Sequence, residues 1–189
     1  MSGWRRLGRR REALIAEIAE NGRGGRGEMR AAKSVTIRCA GAEDAPVIAR
    51  VLYESFVEFR ALYTDGGFAA TALGAEQILI RIQEGPVWVA LRDEAVVGTV
   101  AAVAKGASVY VRGMAVLPAA RGWGVGAELL STVESWAVSE GYGGLFLSST
   151  RFLSSAIRLY EGFGFRRVVE EPQDLFGTEL FTMEKVLGE

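Results

Sequence analysis

The sequence predicts a mixed α/β domain, a mostly antiparallel twisted sheet of about seven strands flanked by four helices. Three observations carry this. Apolar residues alternate with period two in several short runs bounded by turn residues, the signature of strands. Segments of helical periodicity lie between them. The resulting order, β-α-α-β-β-β-α-β-α-β-β, contains a strand meander, and its third helix follows a strand through the glycine-rich turn 121–126.

Residues 35–39 alternate between Ser34 and Gly41 and read as a strand. Asp44 can cap the next helix, with Pro46 tolerated in its first turn. Ile48, Leu52, Phe56, Phe59 and Tyr63 carry that helix to about position 63. Turn chemistry occupies 64–67, and a second helix over 74–83 is stopped by Gly85-Pro86. Three β-rich runs follow, 87–91, 96–104 and 108–116, joined by short turns. A helix over 124–140 shows Leu129, Leu130, Val133, Trp136 and Ala137 on one face. A strand over 145–148, a helix over 154–162 and strands over 165–170 and 180–186 complete the order.

The chain has 189 residues, 49% hydrophobic and 24% charged, which suits one globular domain. No apolar run approaches the ~18 residues of a membrane helix. Histidine is absent, so no imidazole can act as base or metal ligand. The single cysteine, Cys39, excludes an internal disulfide framework. It reads as a small buried residue on the first strand. No metal site is expected, and a cytoplasmic location is.

Charge is uneven. Residues 1–30 hold eight Arg against four Glu, while the whole chain has a net charge of −1. Residues 1–33 therefore read as a basic Gly/Arg-rich extension, partly disordered or outside the domain, and 34–189 as the domain itself. Met29 offers an alternative start. Arginine-rich arms can bind nucleic acid or membrane surfaces, but neither partner is expected for the folded domain.

Arg121-Gly122-Trp123-Gly124-Val125-Gly126 stands between a strand and a helix. The first amides of a helix lack intrahelical acceptors and carry partial positive charge. Glycines let the backbone approach a ligand closely. The segment therefore reads as an anion cradle, with Arg121 adding a cation, and its ligand as a pyrophosphate. Gly122, Gly124 and Ala127 also fit a dinucleotide fingerprint, but the next predicted strand ends in Ser148-Ser149-Thr150 rather than in an acidic residue. A P-loop is excluded because no Gly-Lys-Ser/Thr follows.

The segment resembles the Q/R-x-x-G-x-G/A motif of the GNAT superfamily of N-acetyltransferases. Upstream, Met114-Ala115-Val116-Leu117-Pro118 looks like that family's fourth strand. Downstream, Ala156-Ile157-Arg158-Leu159-Tyr160 through Gly164-Phe165 is similar to its A-x-x-L-Y-x-x-x-G-F signature, and Phe181-Thr182-Met183-Glu184-Lys185 to its last strand. The resemblance spans about 35–187. It implies a GNAT-like fold and transfer of an acetyl group from acetyl-CoA, as cosubstrate, to a small-molecule or peptide amine. A homodimer is common in the family.

The resemblance also implies roles. Main-chain groups of Met114 and Val116 would pair with the pantetheine arm, and backbone amides of Arg121, Gly122, Trp123, Gly124, Val125, Gly126 and Ala127 would hold the pyrophosphate. Val116 N–H is the candidate oxyanion donor. Tyr160 would protonate the leaving thiolate, whose acid has a pKa of about 8.5 if it behaves like cysteine.

The base is less defined. Deprotonating an ammonium of pKa ~10.4 at pH 7 costs roughly 4–5 kcal/mol. Where many relatives carry a Glu base on the fourth strand, this chain has Tyr110, which is a catalytic candidate for the same position facing the acceptor. By period two Tyr110, Arg112 and Met114 share one strand face. Glu54, Glu58 and Asp65, with Arg112, are the remaining candidates for the acceptor side, and Phe59, Tyr63 and Phe68 could line its pocket. Leu153 stands where relatives often have a cofactor-binding Asn, with Ser154 or Ser155 as substitutes. Two other functions fit parts of the sequence: a CoA-binding module without catalysis, and a dinucleotide oxidoreductase.

Overall fold

The structure, a computed structural model, describes residues 35–188. The basic extension expected over 1–33 and the start at Met29 lie outside the described residues. The strands are β1 Thr36–Cys39, β2 Val87–Arg92, β3 Ala95–Lys105, β4 Ser108–Val116, β5 Gly144–Ser149, β6 Arg166–Arg167, β7 Gln173–Leu175 and β8 Thr178–Val186. The helices are α1 Ala45–Phe56, α2 Asp65–Thr71, α3 Ala75–Glu84, α4 Val125–Ser139 and α5 Ser154–Gly162. The strands run β1-β2-β3-β4-β5-β8-β6 across one sheet, with β7 paired to β8. Only β4 and β5 pair in parallel among the described residues.

The mixed, mostly antiparallel sheet read from the sequence is the one that forms, with eight strands instead of seven and five helices instead of four among the described residues. The first helix stops at Phe56, and Val57–Leu62 continues it as a 3-10 turn. A further short helix, α2, occupies part of what reads as a turn; the Thr64 hydroxyl caps it by accepting from Gly67 N–H. The strand expected over 165–170 shrinks to Arg166–Arg167, because Val169 beyond it is fully exposed and has no apolar surface to cover. Phe176 and Gly177, both at positive φ, turn the chain between β7 and β8.

Helices cover both faces of the sheet. On one face Leu129, Leu130 and Val133 of α4 pack on Val100, Val109, Val111, Leu145, Leu147 and Met183. On the other, Ile48, Val51 and Leu52 of α1 and Ile78 of α3 pack on Val87, Val89, Ala101 and Ala115. Cys39 is exposed, not buried as expected, because β1 is an edge strand and alternation alone does not say whether a strand's outer face is covered.

Two features of β4 matter most. It pairs with β5 only at Ser108↔Gly144, Val109↔Leu145 and Tyr110↔Phe146, and beyond that the two strands part. It also carries a bulge. Thr99↔Ala115 and Ala101↔Arg112 leave three steps on β4 against two on β3, and Gly113 sits at φ 57 within the bulge. The bulge inverts the alternation. Val109 and Val111 belong to the α4 face, whereas Ala115 belongs to the α1 face. Tyr110 and Arg112 therefore face α1 and α3, while Met114 packs against the α4 core. The expectation that all three share one face is corrected by that extra residue.

Asp44 ties β1 to the start of α1. Its carboxylate accepts from Arg38 at 2.7 and 2.8 Å and from Gly41 N–H at 2.8 Å. Hydrogen bonding from Arg38 holds this carboxyl below the usual carboxylate range, against the opposing effect of burial. A lowered folded-state pKa gives stability that is present above the unfolded value of about 3.9 and lost as pH falls through the folded value. Asp44→Asn should thus cost about 1 kcal/mol near pH 7, and urea melts should show the gap to wild type closing as pH falls below the unfolded value and on through the folded one.

Candidate functional site

Where β4 and β5 part, a cleft of about 840 Å³ opens between them. Its floor is the free edge of β4. Leu117 N–H donates to Val97 O of β3 at 2.9 Å. By strand alternation the N–H groups of Val116 and, one period deeper, Met114 then point the opposite way, into the opening. The chain thus exposes main-chain donors that β5 does not take, while Val116 O accepts from Arg121 Nε at 3.4 Å.

The turn after β4 forms one end of the cleft. Gly122 and Gly124 adopt φ 80 and 78, a region that L side chains rarely enter, and a Cβ on either would meet nothing within 4 Å. Gly124 is the N-cap of α4, no side chain caps it, and Glu128 N–H is bonded to Gly124 O at 3.1 Å. The amides of Val125, Gly126 and Ala127 are the orphan donors of that first turn, and all three residues line the cleft. Gly126 serves packing as well: a Cβ there would lie 2.7 Å from Leu159 Cδ2 of α5. The geometry is that of an anion cradle at a helix N-terminus.

Not every residue of the motif faces that cradle. Arg121 N–H donates to Pro118 O at 3.3 Å. The Arg121 guanidinium turns toward α1, donating to Ser55 O at 3.0 Å and pairing with Glu58 at 2.5 Å. The cation expected at the cradle is thus matched by a carboxylate. Trp123 is half exposed and stacks on Arg92, 3.2 Å from the ring centroid, and does not line the cleft.

Tyr160 of α5 lines the opposite wall, 8% exposed. Burial, and then the neighbouring Tyr63 and Tyr110 phenols, raise its pKa well above that of an ordinary phenol, so it stays protonated. Tyr110 stacks on Phe146, 5.0 Å between centroids, at the vertex of the opening. Phe59, Tyr63 and Phe152 form an aromatic wall, with Tyr63 edge-on to Phe152 at 4.8 Å. Phe68 packs behind Tyr63 at 6.1 Å and does not line the cleft. Leu153, Ser154 and Ser155 do.

The acidic candidates separate. Glu58 lines the cleft, paired to Arg121. Glu54 sits outside it beside Arg50, at 3.8 Å, and Asp65 outside it in an ion pair with Arg60. Arg112 lines the cleft and pairs with Glu84 of α3. Sequence reasoning missed Arg81, Phe152 and Ser149, which also line it. Ser149 was signalled by the polar run that ends β5; Arg81, on a helix of mixed polarity, had no such signal. Among the described residues no group of three His, Cys, Asp or Glu side chains could hold a metal ion, and no helix is long and apolar enough to cross a membrane.

Residues 83–167 match the family model described as an acetyltransferase (GNAT) domain. Among solved structures, a ribosomal-protein-alanine N-acetyltransferase from Brucella melitensis is 25% identical with TM-score 0.65, over 80% of this chain and 99% of that one. YncA, a putative acetyltransferase from Salmonella typhimurium with its cofactor acetyl-CoA, is 24% identical with TM-score 0.65, over 82% and 95%. The PaiA N-acetyltransferase from Thermoplasma acidophilum in complex with coenzyme A is 20% identical with TM-score 0.67, over 82% and 99%. No curated protein matches the chain. The resemblance read from the motifs is borne out in the sequence of 83–167 and in the fold.

The raised pKa of Tyr160 is directly observable. Ultraviolet titration to pH ~11 should give the same phenolate absorbance for wild type and Tyr160→Phe, because burial keeps this phenol protonated past the ordinary phenol range.

Proposed function

From a GNAT acetyltransferase domain on the GNAT fold, we propose that the chain transfers an acetyl group from acetyl-CoA to a primary amine by direct attack in a ternary complex. One observation carries the reading: orphan amides at the start of α4 adjoin the unpaired edge of β4. A pyrophosphate fits the first and an extended amide-bearing arm fits the second. Acetyl-CoA supplies both, along with a thioester already activated for attack.

The chain's own residues then position and polarise. Val125, Gly126 and Ala127 amides bind the pyrophosphate, and the positive φ of Gly124 keeps the cradle free of a side chain. Met114 and Val116 hold the arm through main-chain bonds. Val116 N–H was the sequence candidate for the oxyanion; Met114 N–H lies about 6–7 Å nearer the vertex and shares that duty, since the thioester sits at the deep end of the arm. Tyr160, protonated at neutral pH and on the wall of the cleft, gives its proton to the departing sulfur. Glu58 is engaged by Arg121, so the amine's proton leaves through water. Holding amine and thioester in one desolvated cleft supplies much of the acceleration. The single cysteine accords with a cytoplasmic site of action.

Isothermal titration with acetyl-CoA and turnover with a panel of amines test the reading; tight binding without turnover would instead favour a non-catalytic CoA-binding module. Gly124→Val should weaken CoA binding at least about tenfold, since it strains the turn and fills the cradle. Tyr160→Phe should lower kcat about 10²-fold with CoA affinity kept. With no dedicated base, kcat/KM should rise with pH along the acceptor's own ionisation, and an acceptor of lower pKa should shift the profile down by the same amount.

A further inference from the structure

The end of the cleft beyond the β4 bulge is built of cations, not carboxylates. Arg81 of α3 packs over Gly113, where a Cβ would lie 2.2 Å from one of its guanidinium nitrogens. Arg112 faces the same side, and both residues line the cleft. Glu84 pairs with Arg112, and no hydrogen bond or ion pair to a carboxylate engages Arg81 among the described residues. Two guanidinium groups therefore share one carboxylate. Burial, then the like charge of Arg112, hold the Arg81 pKa down to about 10 against the pull of Tyr110 and Glu84. The site resists this positive charge, and a bound anion would relieve it. A further donor there is idle: among the described residues Arg112 Nε is buried without a hydrogen-bond partner. The carboxylate that lines the cleft, Glu58, is occupied by Arg121.

We propose that Arg81 and Arg112 form a carboxylate-binding subsite, so that the acceptor is a primary amine that also carries a carboxylate and rests its apolar part on Phe59, Tyr63 and Phe152. This rests on the acetyltransferase reading. Guanidinium groups match carboxylate geometry through paired N–H donors. The carboxylate would complete the charge balance that Glu84 leaves open. Polycationic acceptors are disfavoured, because a second ammonium would approach Arg81 without a carboxylate to meet it. Gly113 is part of the device: its missing Cβ lets the Arg81 guanidinium lie against β4.

Acetyl transfer to matched acceptors tests this: L-phenylalanine against phenethylamine, L-leucine against isoamylamine, and spermidine as polycation. Each amine that lacks its carboxylate should show kcat/KM at least about tenfold below its partner, about 1.4 kcal/mol, and spermidine should be poorest. Arg81→Met should erase the preference by raising KM for the amino acids, while acetyl-CoA affinity by calorimetry stays at the wild-type value and certifies the fold. Arg81→Lys should restore part of the preference. Transfer to phenethylamine or spermidine that matches transfer to phenylalanine, or a preference untouched in Arg81→Met, overturns the subsite and leaves the acetyltransferase reading standing. Absence of acetyl-CoA binding sinks both.

Discussion

The structure depends on one unmade pairing. β4 and β5 hydrogen-bond over three residue pairs and then separate, so the rest of the β4 edge must find its partners elsewhere. Buried main-chain donors and acceptors without partners cost free energy comparable to a lost hydrogen bond each. The chain tolerates this because the splayed strands enclose a cleft that an extended ligand or water can fill. Both flanks are held open by packing: α4 and α5 on one face, through the contact of Gly126 with Leu159, and α1 with its 3-10 extension on the other.

The bulge at Gly113 gives the cleft its two chemistries. An uninterrupted β4 would present Tyr110, Arg112 and Met114 to the same side. With one extra residue, Met114 turns toward the α4 core beside the orphan amides of that helix, and Tyr110 and Arg112 turn toward α1 and α3. A single inserted position thus separates a face of main-chain donors and glycines, suited to a phosphorylated arm, from a face of guanidinium and aromatic groups. In the proposed reaction the two substrates meet across that strand.

The sequence made much of this legible where local chemistry decides. β4 and α5 fall at their expected positions, and the positive φ of Gly122 and Gly124 is what a glycine-rich helix start requires. Helical periodicity also located the two cores, because Ile48 and Leu52 of one and Leu129 and Val133 of the other carry their burial in the pattern itself. What stayed hidden depends on distant pairings. The Gly113 bulge is a register shift between strands, and on β4 alone only the glycine marks it. Cys39 alternates like a buried residue, yet β1 is an edge. Arg121 reads as a phosphate ligand until Glu58, on a separate helix, turns up within 2.5 Å. Arg81 looks like any solvated helix arginine until β4 brings Gly113 beneath it.

The absence of histidine now has a structural counterpart. The residues lining the cleft are tyrosines, arginines, small hydroxyls and main-chain amides, and its single carboxylate is already paired. Such a set is poor at removing protons and good at fixing geometry and supplying donors. A chemistry that begins from an activated acyl group and a nucleophile able to lose its proton to water asks for little more. Burial serves the same end in that proposed reaction, since the desolvation that raises the Tyr160 pKa also strengthens each fixed dipole lining the cleft. In the proposed reaction, removing water from this cleft therefore makes positioning by backbone groups worth more than it is in solution.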